Sequence, residues 1–154
     1  MDGVPTLRVR VGNQRGNNIV DAQLRIVLVR TERLPEGNTF YRLLDLKLAR
    51  SQAPALARSL MMLHPIDADS PLFGATPESL ADDEIELMVT VSGTDDLSLL
   101  PVHAGHNYAD GAIAWGHQHA DVLTEQDDGT LVLDVAKFNV IEPTQPTPTF
   151  PYPR

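Results

Sequence analysis

Five histidines, three pairs of adjacent carboxylates and an arginine-rich first half hold the side chains of this sequence that could do chemistry. His117 and His119 sit two apart, so on a strand they share a face; His103 and His106, three apart, do not. A zinc site needs three or four converging ligands, and spacing places no third ligand beside that pair. His64 and His117 flank turns and strands, where an imidazole normally donates to backbone. The serines stand in no Gly-x-Ser-x-Gly elbow, and no glycine-rich loop has a phosphate-binding pattern. Asp82-Asp83, Asp95-Asp96 and Asp127-Asp128 lie in polar stretches, where adjacent acids are usually solvated. Arg8, Arg10 and Arg15 gather near one strand end and read either as an anion-contacting edge or as a solvated strand face. These residues argue for neither a catalytic site nor a cofactor, and a His-dependent metal enzyme is the weaker rival reading.

The elements that must position them are short strands. Leu7, Val9 and Val11 alternate with Arg8, Arg10 and Gly12, the period of a half-buried strand. Residues Gly12 to Asn18 form a turn rich in Gly and Asn. A long strand follows, with Val20, Ala22, Leu24, Ile26 and Leu28 on one face and Asp21, Gln23 and Arg25 on the other. After the turn Leu34 to Asn38, Phe40, Leu44, Leu46 and Leu48 continue as strand, with Asp45 and Lys47 outward. Ser51 to Ala57, interrupted by Pro54, reads as a short helix or a loop, and Ser59 to Leu63 as a buried strand. Thr76-Pro77-Glu78 predicts a helix start, with Thr76 as N-cap and Pro77 in the first turn.

The richest stretch is Glu86 to Asp121. An alternating strand (Leu87, Val89, Val91) leads into a tight acidic loop, Ser92 to Asp96, and then an apolar run, Leu97 to Val102. A polar turn at Asn107 to Asp110 precedes a strand at Ile113 to His117, which holds the one Trp. Leu131, Leu133 and Val135 form a last strand, and Ala136 to Asn139 one helical turn. Five of the last twelve residues are Pro, so 143–154 reads as an extended tail beyond a single domain, 1–142. Turn signals every 8 to 15 residues with one or two short helices predict an all-β sandwich.

Composition narrows the classes further. A chain of 154 residues can bury roughly two-thirds of its extended surface. There is no Cys, which excludes disulfides, thiol catalysis and cysteine-ligated zinc. The net charge of −9 and pI near 4.8 argue against nucleic acid as a partner. No basic and apolar leader follows Met1, and no apolar run approaches the ~18 residues of a membrane span, so the chain reads as water-soluble.

Several stretches, taken together and in order, resemble the cytoplasmic domain of inward-rectifier potassium channels. They are Leu7 to Arg15, Ile19-Val20-Asp21-Ala22, Glu36-Gly37, His64 to Leu72, Ile113-Ala114-Trp115-Gly116-His117 and Leu133 to Phe138, spanning about Thr6 to Glu142. Ser70 to Ala81 is most similar to the prokaryotic branch. The resemblance implies an immunoglobulin-like β-sandwich, four copies of which surround a cation-filled vestibule at the cytoplasmic face of the membrane. The two membrane helices and the selectivity filter are not in this sequence, which reads as an excised domain or a stand-alone relative. By the same resemblance, Asp21, Asp95 and Asp96 would line the pore. Gly93 to Leu100, with Gly93, Thr94, Leu97, Leu99 and Leu100 as its key residues, would be an apical gate loop whose glycine permits backbone movement. Arg10, Arg15 and Arg25 would couple phosphoinositide or other anionic lipid to gating. Residues 46–64 hold no acid where strong rectifiers have them, so polyamine block would be weak. Asn13 stands where sodium-sensing members have Asp, so no sodium site is expected, and Gly105 replaces an Arg that braces the apical loop. The alternative is an immunoglobulin-like interaction module with no channel.

Overall fold

The computed structural model describes residues 3–14 and 16–144. The chain divides into two compact units, the first ending at Ile113 and the second beginning at Ala114, where the sequence reading drew one domain to 142. The proposed tail lies outside the described residues from position 145 on.

In the first unit, β1 (Thr6–Gly12) pairs antiparallel with β5 (Ser59–Pro65). The larger sheet has the order β3-β2-β6-β7, where β2 is Ile19–Arg33, β3 Thr39–Asp45, β6 Glu86–Asp95 and β7 Pro101–Ala109. Its fifth strand, β4 (Gln52–Leu56), also pairs with β2. Alternation decides which face is inside. Leu24, Ile26 and Leu28 of β2 stand directly opposite Val91, Val89 and Leu87 of β6, and all six are buried. Such cross-strand apolar pairs contribute roughly 0.2–1 kcal/mol each beyond Ala. Val9 of β1 and Met62 of β5, also paired, complete the buried set from the smaller sheet. The product is the expected all-β sandwich, with one α-helix among the described residues, α1 (Pro77–Asp82). Thr76 caps α1, as the Thr-Pro pair predicts, and Ser79 answers it in a capping box.

Five local expectations are corrected. Residues 52–56 are strand, not helix or loop: β4 is an edge strand, where the missing N–H of Pro54 costs no ladder bond. β3 ends at Asp45, and the chain then leaves the β2 edge. Leu46 N still donates to Ile26 O at 2.9 Å, but Ala49 N donates to Leu63 O of β5 at 2.8 Å. The segment thus crosses between sheets. Buried His64 locks this crossing. Its Nδ1 faces Lys47 O at 2.8 Å, and a carbonyl only accepts, so Nδ1 carries the proton. Nε2 then accepts from the Ser70 hydroxyl at 2.7 Å, whose oxygen accepts from Leu72 N.

The third correction is β7, which runs unbroken to Ala109 and leads into a 3-10 turn at Asp110–Ala112. In the second unit Trp115 and Gly116 form a turn, not a strand, and β8 is His117–His119, paired with β11 (Ile141–Pro143). β9 (Leu123–Glu125) pairs with β10 (Leu131–Leu133), and Val135 opens a 3-10 turn instead of extending the strand. Among the described residues no helix is long and apolar enough to cross a membrane.

Candidate functional site

The connection from β6 to β7 is shorter than the sequence suggests. Gly93 and Thr94 belong to β6, paired with Val102 and Pro101, so the turn proper is 96–99. It closes with Asp95 N to Leu100 O and Leu99 N to Asp95 O, both at 2.9 Å. The Asp95 carboxylate organises it from inside. Oδ1 accepts from Leu97 N at 2.9 Å and Ser98 N at 3.1 Å, and Asn17 Nδ2 donates across to Oδ2 at 3.2 Å. Asp95 is only 3% exposed. The Ser98 amide, then Asn17 and the Leu97 amide, hold its pKa below the usual carboxylate value, because each bond favours the ionised form. Asp95 therefore presents its carboxylate to the loop and not to solvent, which departs from the pore-facing role expected of it. Its neighbour Asp96 is clamped through backbone: Asn18 N donates to Asp96 Oδ1 and Asp96 N to Asn18 O, each at 3.1 Å.

The anchored turn displays apolar side chains outward. Leu97, Leu99 and Leu100 are 75%, 74% and 63% exposed. Leu99 has φ 59°, a left-handed conformation that leucine rarely adopts and that the surrounding bonds must impose.

Gly93 sits where two strands approach closely. A Cβ there would stand 2.6 Å from Ile19 Cγ2 and 2.9 Å from Val20 O. Its φ is not in the left-handed range, so close approach of β6 to β2 is what requires glycine. On the facing strand the register slips between Val20 and Gln23, and Asp21 bulges out, exposed, at φ 51°. Asp tolerates that region better than most residues. The contact at Gly93 and the projection of Asp21 belong to one irregularity.

Next to Asp21, the outer face of the sheet carries a polar patch. Gln23 pairs with Ser92, and Arg25 with Thr90. Arg25 reaches Asp45 of β3 with two bonds, Nε to Oδ1 at 2.6 Å and a second guanidinium nitrogen to Oδ2 at 2.9 Å. That bond lowers the Asp45 pKa and raises that of Arg25. The three arginines expected to act together are not on one element: Arg25 lies on β2, Arg10 on β1 opposite Met61, and Arg15 outside the described residues.

Among the described residues no three His, Asp or Glu side chains are grouped as metal ligands would be. His103 and His106 are exposed on β7, and His106 packs edge-on against Tyr108. His117 Nδ1 donates to Trp115 O at 2.7 Å, the backbone bond expected of it.

Sequence reasoning missed Asn17 and Asn18. The Asp95-x-Leu97-Ser98 spacing of an Asx-type turn could have signalled the inward carboxylate. The partner at Asn17 could not be found that way, since it lies 78 positions earlier.

Residues 2–152 match the family model for the inward rectifier potassium channel C-terminal domain. The chain is 40% identical over 140 residues to the inward rectifier potassium channel Kirbac3.1 of Paramagnetospirillum magnetotacticum, covering 91% of this chain and 48% of that protein. It is 30% identical over 156 residues to the human G protein-activated inward rectifier potassium channel 1, covering 98% of this chain and 30% of that protein. With the murine G protein-activated inward rectifier potassium channel 3 it shares 31% over 142 residues, 90% of this chain and 36% of that protein. The chain thus spans about half the length, or less, of these relatives. It belongs to the family of inward rectifier potassium channel C-terminal domains, which is a family of ion-channel domains and not a class of enzymes.

Proposed function

We propose that this chain is the cytoplasmic gating domain of an inward-rectifier potassium channel, with four copies enclosing a vestibule on the cytoplasmic side of the membrane. The observation that carries this reading is the β6–β7 turn, whose three exposed leucines stand on a rigidly anchored loop. Four such tips brought to one axis make an apolar constriction, and hydrophobic constrictions gate by dewetting. A small rigid-body shift of each copy then opens or closes the aperture. The polar patch of Gln23, Arg25, Thr90 and Ser92 beside Asp21 suits a vestibule wall, and four exposed Asp21 carboxylates would concentrate potassium ions there. Asp96 adds charge near the rim, while Asp95 enters this reading as the residue that shapes the loop. Arg10 and Arg15 are the basic positions proposed to sense a phosphoinositide or other anionic lipid. Arg25 would first have to leave Asp45.

The test is potassium flux through a reconstituted channel carrying this segment. Leu99→Trp is expected to change flux several-fold, and Asp21→Asn to weaken block by internal cations. Flux and block that ignore both substitutions would remove the loop as constriction and Asp21 as lining.

A further inference from the structure

We propose that the slip between β2 and β6 is an aiming device, in which Gly93 holds Asp21 in a left-handed conformation so that its carboxylate projects in one fixed direction. The register carries the device. Val20 pairs with Thr94 and Gln23 with Ser92, so Asp21 and Ala22 together oppose one residue, Gly93. Two residues against one make a β-bulge, and bulges re-aim side chains. On the other side of β2 the pairing does not slip: Val20 stands opposite Ala55, and Ala22 opposite Ala53. The extra residue is therefore absorbed wholly against β6.

Asp21 takes up the bulge, at φ 51°. Where the first residue of a bulge is left-handed, glycine is the usual occupant, because it has no Cβ to clash. Any other residue costs free energy there. Asp21 is exposed, so packing does not offset that cost. What the position keeps, and glycine would lose, is the carboxylate. The residues on both sides of Asp21 meet the same neighbour. A Cβ at position 93 would stand 2.6 Å from Ile19 Cγ2, 2.9 Å from Val20 O and 3.3 Å from Ala22 Cα. Ala22 is wholly buried, so it has no room to yield. A side chain at 93 would thus press Val20 and Ala22 away from β6 and turn the residue between them. Gly93 has no group to offer a cation. It acts through Asp21, as a positioning residue.

That the carboxylate meets cations rests on the vestibule reading above; how it is aimed is a property of this chain. Thermal unfolding tests the conformation. Asp21→Gly suits the left-handed backbone and should unfold at or above the temperature of the parent chain. Asp21→Ala removes the same carboxylate and should unfold about 2–4 °C below Asp21→Gly. Equal midpoints for the two variants overturn the proposal. NMR tests Gly93. Gly93→Ala should move the Asp21 Cα and Cβ resonances out of the left-handed range. The amides of Leu28 and Leu87, paired deep in the sheet, should keep theirs and report an intact fold. Unmoved Asp21 resonances in a folded Gly93→Ala protein overturn the role of Gly93. If that variant does not fold, adding Ile19→Ala removes the nearest clash and leaves the one with Val20 O; it should move the same resonances, and their constancy would count equally against the proposal. Magnesium block of a reconstituted channel carrying this segment joins the two. Gly93→Ala should weaken block by internal magnesium several-fold, as Asp21→Asn does, and the double variant no further, since both act on one charge. Additive losses assign Gly93 to something other than Asp21 and overturn the proposal. Moved resonances with block indifferent to Asp21→Asn leave the aim standing and the vestibule reading refuted; unmoved resonances with block sensitive to Asp21→Asn do the reverse.

Discussion

Two hairpins close opposite ends of the large sheet. The turn between β2 and β3 holds itself: Leu34 N bonds to Asn38 O, Gly37 N bonds back to Leu34 O, and Gly37 supplies φ 90°. Nothing lies within 4 Å of where a Gly37 side chain would begin. The connection between β6 and β7 is held from elsewhere. Asn17 donates to its Asp95 carboxylate, Asn18 N donates to its Asp96 carboxylate, Asp96 N donates to Asn18 O, and its entry strand presses on Ile19 and Val20. The first is a local solution that tolerates change. The second makes one loop depend on residues far away in sequence.

The contrast can be broken most forcefully at the two glycines. Gly93→Val should cost about 2 kcal/mol or more, since overpacking against backbone cannot relax by a rotamer change. Denaturant unfolding measures it, and a loss below the Gly37 value would erase the distinction. Gly37→Ala should cost about 1 kcal/mol, wholly from the left-handed backbone, with no change in the exchange of Leu97 or Ser98. The smallest effect comes from acid. The Asp95 carboxyl is depressed from its ordinary 3.8, so its contribution is present above that value and is lost as pH falls through the lower folded value. Protection at Leu97 and Ser98 should therefore persist through mildly acidic pH and fade only below the usual carboxylate range, while the Leu34–Asn38 turn is unaffected. Loss of protection already near pH 6 would show that Asp95 is not what holds the loop.

Much of the fold was legible before any coordinates. Alternation over Val20 to Leu28 and Leu87 to Val91 named the buried face of β2 and β6 correctly, because a side chain's face on a strand follows from its parity. Thr76-Pro77 marked the helix start because capping is chemistry within a few residues. The crossing at residues 46–51 was not legible, since a segment that bonds to two sheets in turn has no single period. Nor was β4, where Pro54 argues against a strand until the strand is known to be an edge.

The site divides along the same line. Order and spacing of motifs identified the family. Only the tertiary structure decided what Gly93 and Asp95 do there. Gly93 is a point of close approach, and the Asp95 carboxylate is buried at the core of a turn. Sequence records which groups are available. Whether a carboxylate faces ions or amides depends on what packs against it, and here that partner, Asn17, arrives from another turn of the chain.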